Sequence, residues 1–164
     1  MNGRIMFGVL TVFLLLPSRT QGQGYDFFHP NDFSVDLNGF VASRDRGGAD
    51  KAAAGPGVGV NYFFTKNVGI GADTYADAFQ PPYQLNASGI YRYPLGSTGV
   101  SPYGFAGFGR QWDNHGQWLA HVGAGLEFRF SERTGVFLDV REVFPDKTRD
   151  STVVRFGFRV KFLQ

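Results

Sequence analysis

The chain contains no cysteine. That excludes disulfides, thiolate metal sites and thiol catalysis. Charge is also sparse: only 18% of residues are Asp, Glu, Lys or Arg, and the net charge is +2. The basic residues are scattered, which excludes the dense cationic surface of a nucleic-acid binder. No apolar run is long enough for a membrane-spanning helix. The longest such stretch is the twelve residues from Ile5 to Leu16, against the roughly 20 a spanning helix needs.

Glycine and aromatic residues are plentiful. Glycine fills 23 of 164 positions, with 18 Phe and 7 Tyr. That is about twice the usual glycine share, and the combination favours tightly packed strands over helices. Residues 1–22 read as a cleaved signal peptide. Arg4 supplies the positive end, the twelve-residue run follows, Pro17 breaks it, and Thr20-Gln21-Gly22 offers small residues for cleavage. Residues 23–32, with Pro30, read as a short leader, and 33–164 as one barrel domain.

Eight segments of the barrel domain alternate in polarity with the period of two that a strand imposes. They cover 33–43, 55–64, 68–79, 83–93, 100–111, 117–130, 135–144 and 151–162. Each has about the 9–11 residues of a tilted membrane strand. In the sixth, Trp118, Ala120, Val122, Ala124, Leu126 and Phe128 oppose His121, Gly123, Gly125, Glu127 and Arg129. In the eighth, Val154, Phe156, Phe158 and Val160 oppose Arg155, Gly157, Arg159 and Lys161.

The charges decide which face meets what. The apolar row is essentially free of ionisable groups in seven segments, with Glu142 interrupting the remaining one near its end. The other row collects Asp36, Asp73, Asp77, Arg92, Glu127, Arg129, Asp139, Arg141, Arg155, Arg159 and Lys161. A soluble barrel would bury the apolar row, whereas a transmembrane barrel turns it to lipid and encloses the ionic row. Three features favour the second. The connections alternate between shorter ones and, on average, longer and more charged ones such as RDRGGADK at 44–51 and RQWDNHG at 110–116. Aromatics sort by strand end, with Tyr62, Phe64, Tyr91, Tyr93, Phe128, Phe130 and Phe162 at one rim and Trp112 and Trp118 at the other. Two such girdles suit headgroup depth. Finally, a sheet in hydrocarbon must close, because unpaired amides there cost several kcal/mol. Inward glycines such as Gly59, Gly71, Gly107, Gly123 and Gly125 leave room for arginines opposite them.

SPYGFAGFGRQW (101–112) and HVGAGLEFRFSERTGVFLDVREVF (121–144) resemble the small outer-membrane β-barrel domain family of OmpA-type and OmpX-type barrels. FGFRVKF (156–162) resembles the terminal-strand signal read by outer-membrane assembly machinery, with Leu163 and Gln164 following where that signal usually ends on an aromatic. The resemblance implies an all-β, eight-stranded, antiparallel up-and-down transmembrane barrel in the cell outer membrane. Its partners would be outer-membrane lipid and, during biogenesis, the assembly machinery, and it would be a monomer.

Catalytic motifs are weak. The glycine clusters at Gly55, Gly57 and Gly59 and at Gly104, Gly107 and Gly109 lie inside strands, whereas a phosphate loop joins a strand to a helix. His29, His115 and His121 show no metal-ligand spacing, and His121 has no serine near it on its own segment. A lipid-modifying Ser–His enzyme needs such a pair open to lipid. The expectation is a non-enzymatic barrel without cofactor or metal, its lumen narrow or plugged by ion pairs, acting in envelope integrity or surface interaction. A narrow porin is the alternative, ahead of a lipid-modifying enzyme or a secreted lipocalin-like carrier. Trp112, His115 and Trp118 with Arg110 could form a small contact patch, though aromatic-belt anchoring is the commoner explanation of such tryptophans.

Overall fold

The computed structural model describes residues 26–46, 49–76, 83–112, 116–148 and 150–163. The signal-peptide reading, Asp77 and His115 lie outside the described residues. Eight strands follow one another: β1 (Asp32–Arg46), β2 (Ala49–Phe63), β3 (Val68–Ala76), β4 (Tyr83–Arg92), β5 (Val100–Trp112), β6 (Gln117–Arg129), β7 (Thr134–Pro145) and β8 (Ser151–Leu163). Each strand pairs antiparallel with its sequence neighbours, and β1 pairs with β8 to close the barrel. Closure leaves no free edge, which hydrocarbon demands. A register shift between Phe33 and Ser34 marks the seam of β1 with β8.

The faces follow the period of two. On β6 the odd residues Gln117, Leu119, His121, Glu127 and Arg129 are buried, while Trp118, Ala120, Val122, Ala124, Leu126 and Phe128 are exposed. Leu37, Phe108, Phe158 and Phe162 are 61–63% exposed, whereas Arg92 and Arg141 are 0% exposed. Water would not tolerate so large a greasy belt around so ionic an interior. A bilayer requires it.

Turns at the end where β1 starts and β8 finishes, the terminal end, are compact. Thr65 N–H donates to Val68 O, Leu95 N–H to Val100 O, and Phe130 N–H to Thr134 O. Gly99 turns with a φ of 73°, and a side chain there would also strike the carbonyl of Arg129.

Two expectations need correction. The segment at 44–51 is not a loop: β1 and β2 continue as a ladder through Arg44↔Lys51, Asp45↔Asp50 and Arg46↔Ala49. Charged residues beyond the hydrocarbon do not oppose backbone pairing, so β2 begins at Ala49 rather than at residue 55. Likewise β5 runs to Trp112, so the connection expected at 110–116 begins only after that residue. Arg110, inside the expected fifth segment, lies on the exposed row with Ala106, Phe108 and Trp112, and the apolar face therefore carries a cation there.

Candidate functional site: an ionic lumen

Inward side chains build the barrel interior as a continuous set of ion pairs. At its centre Arg155 spans two strands' carboxylates. Its Nε and Nη2 donate to Asp139 at 2.9 and 2.8 Å, and its Nη1 lies 3.1 Å from Asp73. Arg141 donates to both Asp73 oxygens at 3.1 and 2.7 Å. The Tyr103 hydroxyl donates to Asp139 at 2.8 Å, and Asn86 Nδ2 to Asp73 at 3.0 Å. Arg141 and Arg155 both sit over the Phe105 ring.

Arg159 makes the next layer. It grips Asp36 with two hydrogen bonds of 2.7 Å and donates a third to Glu127. Asn61 Nδ2 donates to Asp36 at 2.8 Å. Glu127 also accepts from Arg129 Nε at 2.6 Å. Forked guanidinium–carboxylate pairs of this kind are the strong charge-assisted form.

Arg129 and Arg92 carry the network to the terminal end, where both meet Asp32 at 2.8 and 3.1 Å. The segment before β1, read as a plain leader, folds across this mouth. Phe28 is 0% exposed and lies against both guanidiniums, 4.9 Å from Arg92 and 4.6 Å from Arg129. Arg92 also covers Phe63 at 3.6 Å. Backbone carbonyls of Phe27 and His29 accept from Arg129 and Arg92. The segment is tied down by Lys66, whose Nζ donates to Asp26 at 2.7 Å.

Of the inward residues picked out by alternation, Asp36, Asp73, Glu127, Arg129, Asp139, Arg141, Arg155 and Arg159 belong to this ion-paired set, and Arg92 joins it through Asp32. Lys161 is buried but its Nζ makes no hydrogen bond among the described residues. Asp32 and Phe28 were missed. Asp32 was discoverable, since it continues the inward row of Ser34 and Asp36, whereas nothing in the sequence marks Phe28 as returning into the mouth.

A purely polar lumen was also an incomplete reading. Toward the opposite end Phe40, Ala42, Ala53, Tyr75, Leu119, Val143 and Val153 form a buried apolar cluster inside the barrel, with the Phe40 and Tyr75 rings 4.5 Å apart. Glu142, the acid on the outward row, accepts a hydrogen bond from Thr152 on β8 at 2.8 Å. That contact gives its carboxylate a polar neighbour on the lipid side.

His121 does meet a serine, though across strands. Ser88 on β4 and His121 on β6 both pair with Gly107 of β5. Gly107 has no side chain to separate them, and Ser88 Oγ lies 2.9 Å from His121 Nε2. Both residues are buried, and His121 Nδ1 has no hydrogen-bond partner among the described residues. A catalytic triad would place an orienting group there.

The predicted girdle residues lie on the outer surface. Tyr91, Tyr93, Phe64, Phe128, Phe130 and Phe162 are exposed near the terminal end, with Tyr62 half-buried among them, and Trp112 and Trp118 are exposed near the other.

An apolar exterior around a closed ionic interior defines a membrane-spanning β-barrel, and barrels of this build are outer-membrane proteins. Solved structures agree on the fold. Neisserial surface protein A (NspA) superposes with a TM-score of 0.66 at 18% identity, covering 79% of this chain and 97% of that one. The N-terminal barrel domain of Pseudomonas aeruginosa OprF gives 0.62 at 20% identity over 82% and 99%. Ail, the attachment invasion locus protein of Yersinia pestis, gives 0.60 at 16% identity over 81% and 99%. No family model and no curated protein matches the chain.

Proposed function

We propose that this chain is a non-conducting, non-enzymatic outer-membrane barrel that acts through its wall and rims, in envelope integrity or surface contact. The observation that carries this reading is the filling of the lumen from end to end. Phe28 covers the terminal mouth, ion pairs fill the middle, and the apolar cluster around Phe40 and Tyr75 fills the other end. An ion would have to displace buried guanidinium–carboxylate pairs. An internal polar cavity beside Asp73, Ser88 and Arg155 measures about 20 Å³, room for about one water. Ser88 lines this cavity, and both it and His121 are buried.

Conductance in planar bilayers tests the reading. The folded chain is expected to give no stable unitary steps. Regular steps would select the narrow-porin alternative. Hydrolysis of a lipid substrate, lost in His121→Ala, would select an enzyme.

A further inference from the structure

We infer that the outer wall of β2–β5 binds one acyl chain of an anionic, phosphate-bearing lipid, with Arg110 holding the phosphate. The wall is thin there because each of two successive cross-strand rows sets two small residues side by side. One row reads Val60, Ala72, Ala87, Phe108, and the next reads Tyr62, Ile70, Gly89, Ala106. Together they floor a shallow groove of about 600 Å³, lined almost wholly by apolar surface. Three inter-strand steps make it roughly 15 Å long. Strands in such barrels tilt by about 35–45°, so a groove that crosses them climbs the wall obliquely rather than running level around it.

The upper edge of the groove is Phe108. Two residues further along the same exposed row stands Arg110. Its guanidinium lies 5.3 Å from the Trp118 ring and 5.9 Å from the Trp112 ring. No carboxylate lies within ion-pair distance of it among the described residues. An arginine on the lipid-facing row costs about 2–4 kcal/mol at mid-bilayer and about 0–1 kcal/mol near the interface. Its tryptophan neighbours place it at interfacial depth, where phosphates lie. A phosphate there finds a guanidinium that no acid among the described residues neutralises, and the groove begins directly beside it. Charge complementarity therefore selects an anionic lipid over a second copy of this chain, whose matching face would bring a second Arg110 without an acid to meet it.

This inference goes beyond the proposed function and does not depend on whether the lumen conducts. The test exploits the tryptophans: the chain has only two, and both flank Arg110. The full chain is folded into phosphatidylcholine vesicles containing a minor fraction of dibrominated phosphatidic acid or dibrominated phosphatidylcholine. Bromine quenches only a tryptophan it touches. Phosphatidic acid is expected to be enriched at the site roughly fivefold over phosphatidylcholine, the ratio set by about 1 kcal/mol per basic residue at an anionic lipid surface. Arg110→Gln should bring the two lipids to equal quenching, while Arg133→Gln in the β6–β7 turn should leave the preference intact. Ala87→Leu, which fills the groove, should lower the preference with Arg110 still present. Each variant is first shown to fold by heat-modifiable gel mobility. Equal quenching in the parent chain would overturn the proposal, and so would a preference that survives Arg110→Gln. An Ala87→Leu variant with undiminished preference would overturn the groove's part in it. Cross-linked dimers that Ala87→Leu abolishes, without any lipid preference, would assign the groove to a second copy instead.

Discussion

Arg159 shows how a single side chain holds three strands. It reaches from β8 to Asp36 on β1 and Glu127 on β6, so its loss leaves two buried acids short of their main partner. Removing one member of a buried ion pair costs about 3–5 kcal/mol. Arg159→Met should therefore lower unfolding stability in lipid vesicles by about that much, whereas Arg133→Met on an exposed turn should stay within about 0.5 kcal/mol. Equal losses in urea titrations would mean that the interior pairs are not what resists unfolding. Gly107 makes the complementary point about space. A methyl group there would collide with the Ala87 carbonyl and approach Ser88 Cα to 2.9 Å, and backbone cannot step aside. Gly107→Ala should cost about 1–3 kcal/mol, the usual penalty of overpacking. It should also separate Ser88 from His121, visible as a shift of the His121 ring resonances.

At the scale of elements, strand positions and facing were legible because a period of two survives in single sequence. The ionic row and the aromatic rims followed from it. Strand ends were less legible, because the ladder at Arg44–Lys51 lies beyond the stretch where polarity alternates. Arg110 was ambiguous for the same reason: it falls both at the end of the fifth alternating segment and at the start of the charged connection with Asp113 and Asn114. Contacts across the barrel were not legible at all, since Ser88 and His121 are 33 residues apart and only the register over Gly107 joins them. The folded leader is the clearest case. Its hold on the mouth rests on Phe28, so Phe28→Ala should cost about 3–5 kcal/mol as a large-to-small change in a fully buried site. The Asp26–Lys66 pair adds less, because both groups are partly exposed. Burial pushes the Asp26 carboxyl up, but the Lys66 hydrogen bond, the Phe28 amide and the Lys66 charge outweigh it and hold the carboxyl below its ordinary 3.8. A depressed native value means the pair stabilises fully above the unfolded carboxylate range and loses its effect as pH falls through the native value. With solvent screening the effect is about 0.5 kcal/mol at most. Amide exchange at Phe28 should be steady at neutral pH and rise only below that carboxylate range, after correction for intrinsic rates.

For the molecule as a whole, three fillings stand in series along one axis, and series elements predict a particular pattern of conductance. Opening the terminal mouth with Phe28→Ala leaves the layers of Arg159 and Arg155 intact. Opening the other end with a paired Phe40→Ala and Tyr75→Ala change leaves the same layers intact. Neither variant should conduct, although each should lose stability. The central layer is different, because Asp73 and Asp139 are held by two arginines between them. Arg155→Ala removes the group that bridges both acids and leaves a gap lined by carboxylates. Combined with Arg159→Ala, Phe28→Ala and the Phe40 and Tyr75 changes, it should give small, cation-preferring steps in a planar bilayer. A single end variant that conducts as well as the combination would show that the ionic layers yield to ions, and that the barrel is closed only by its ends.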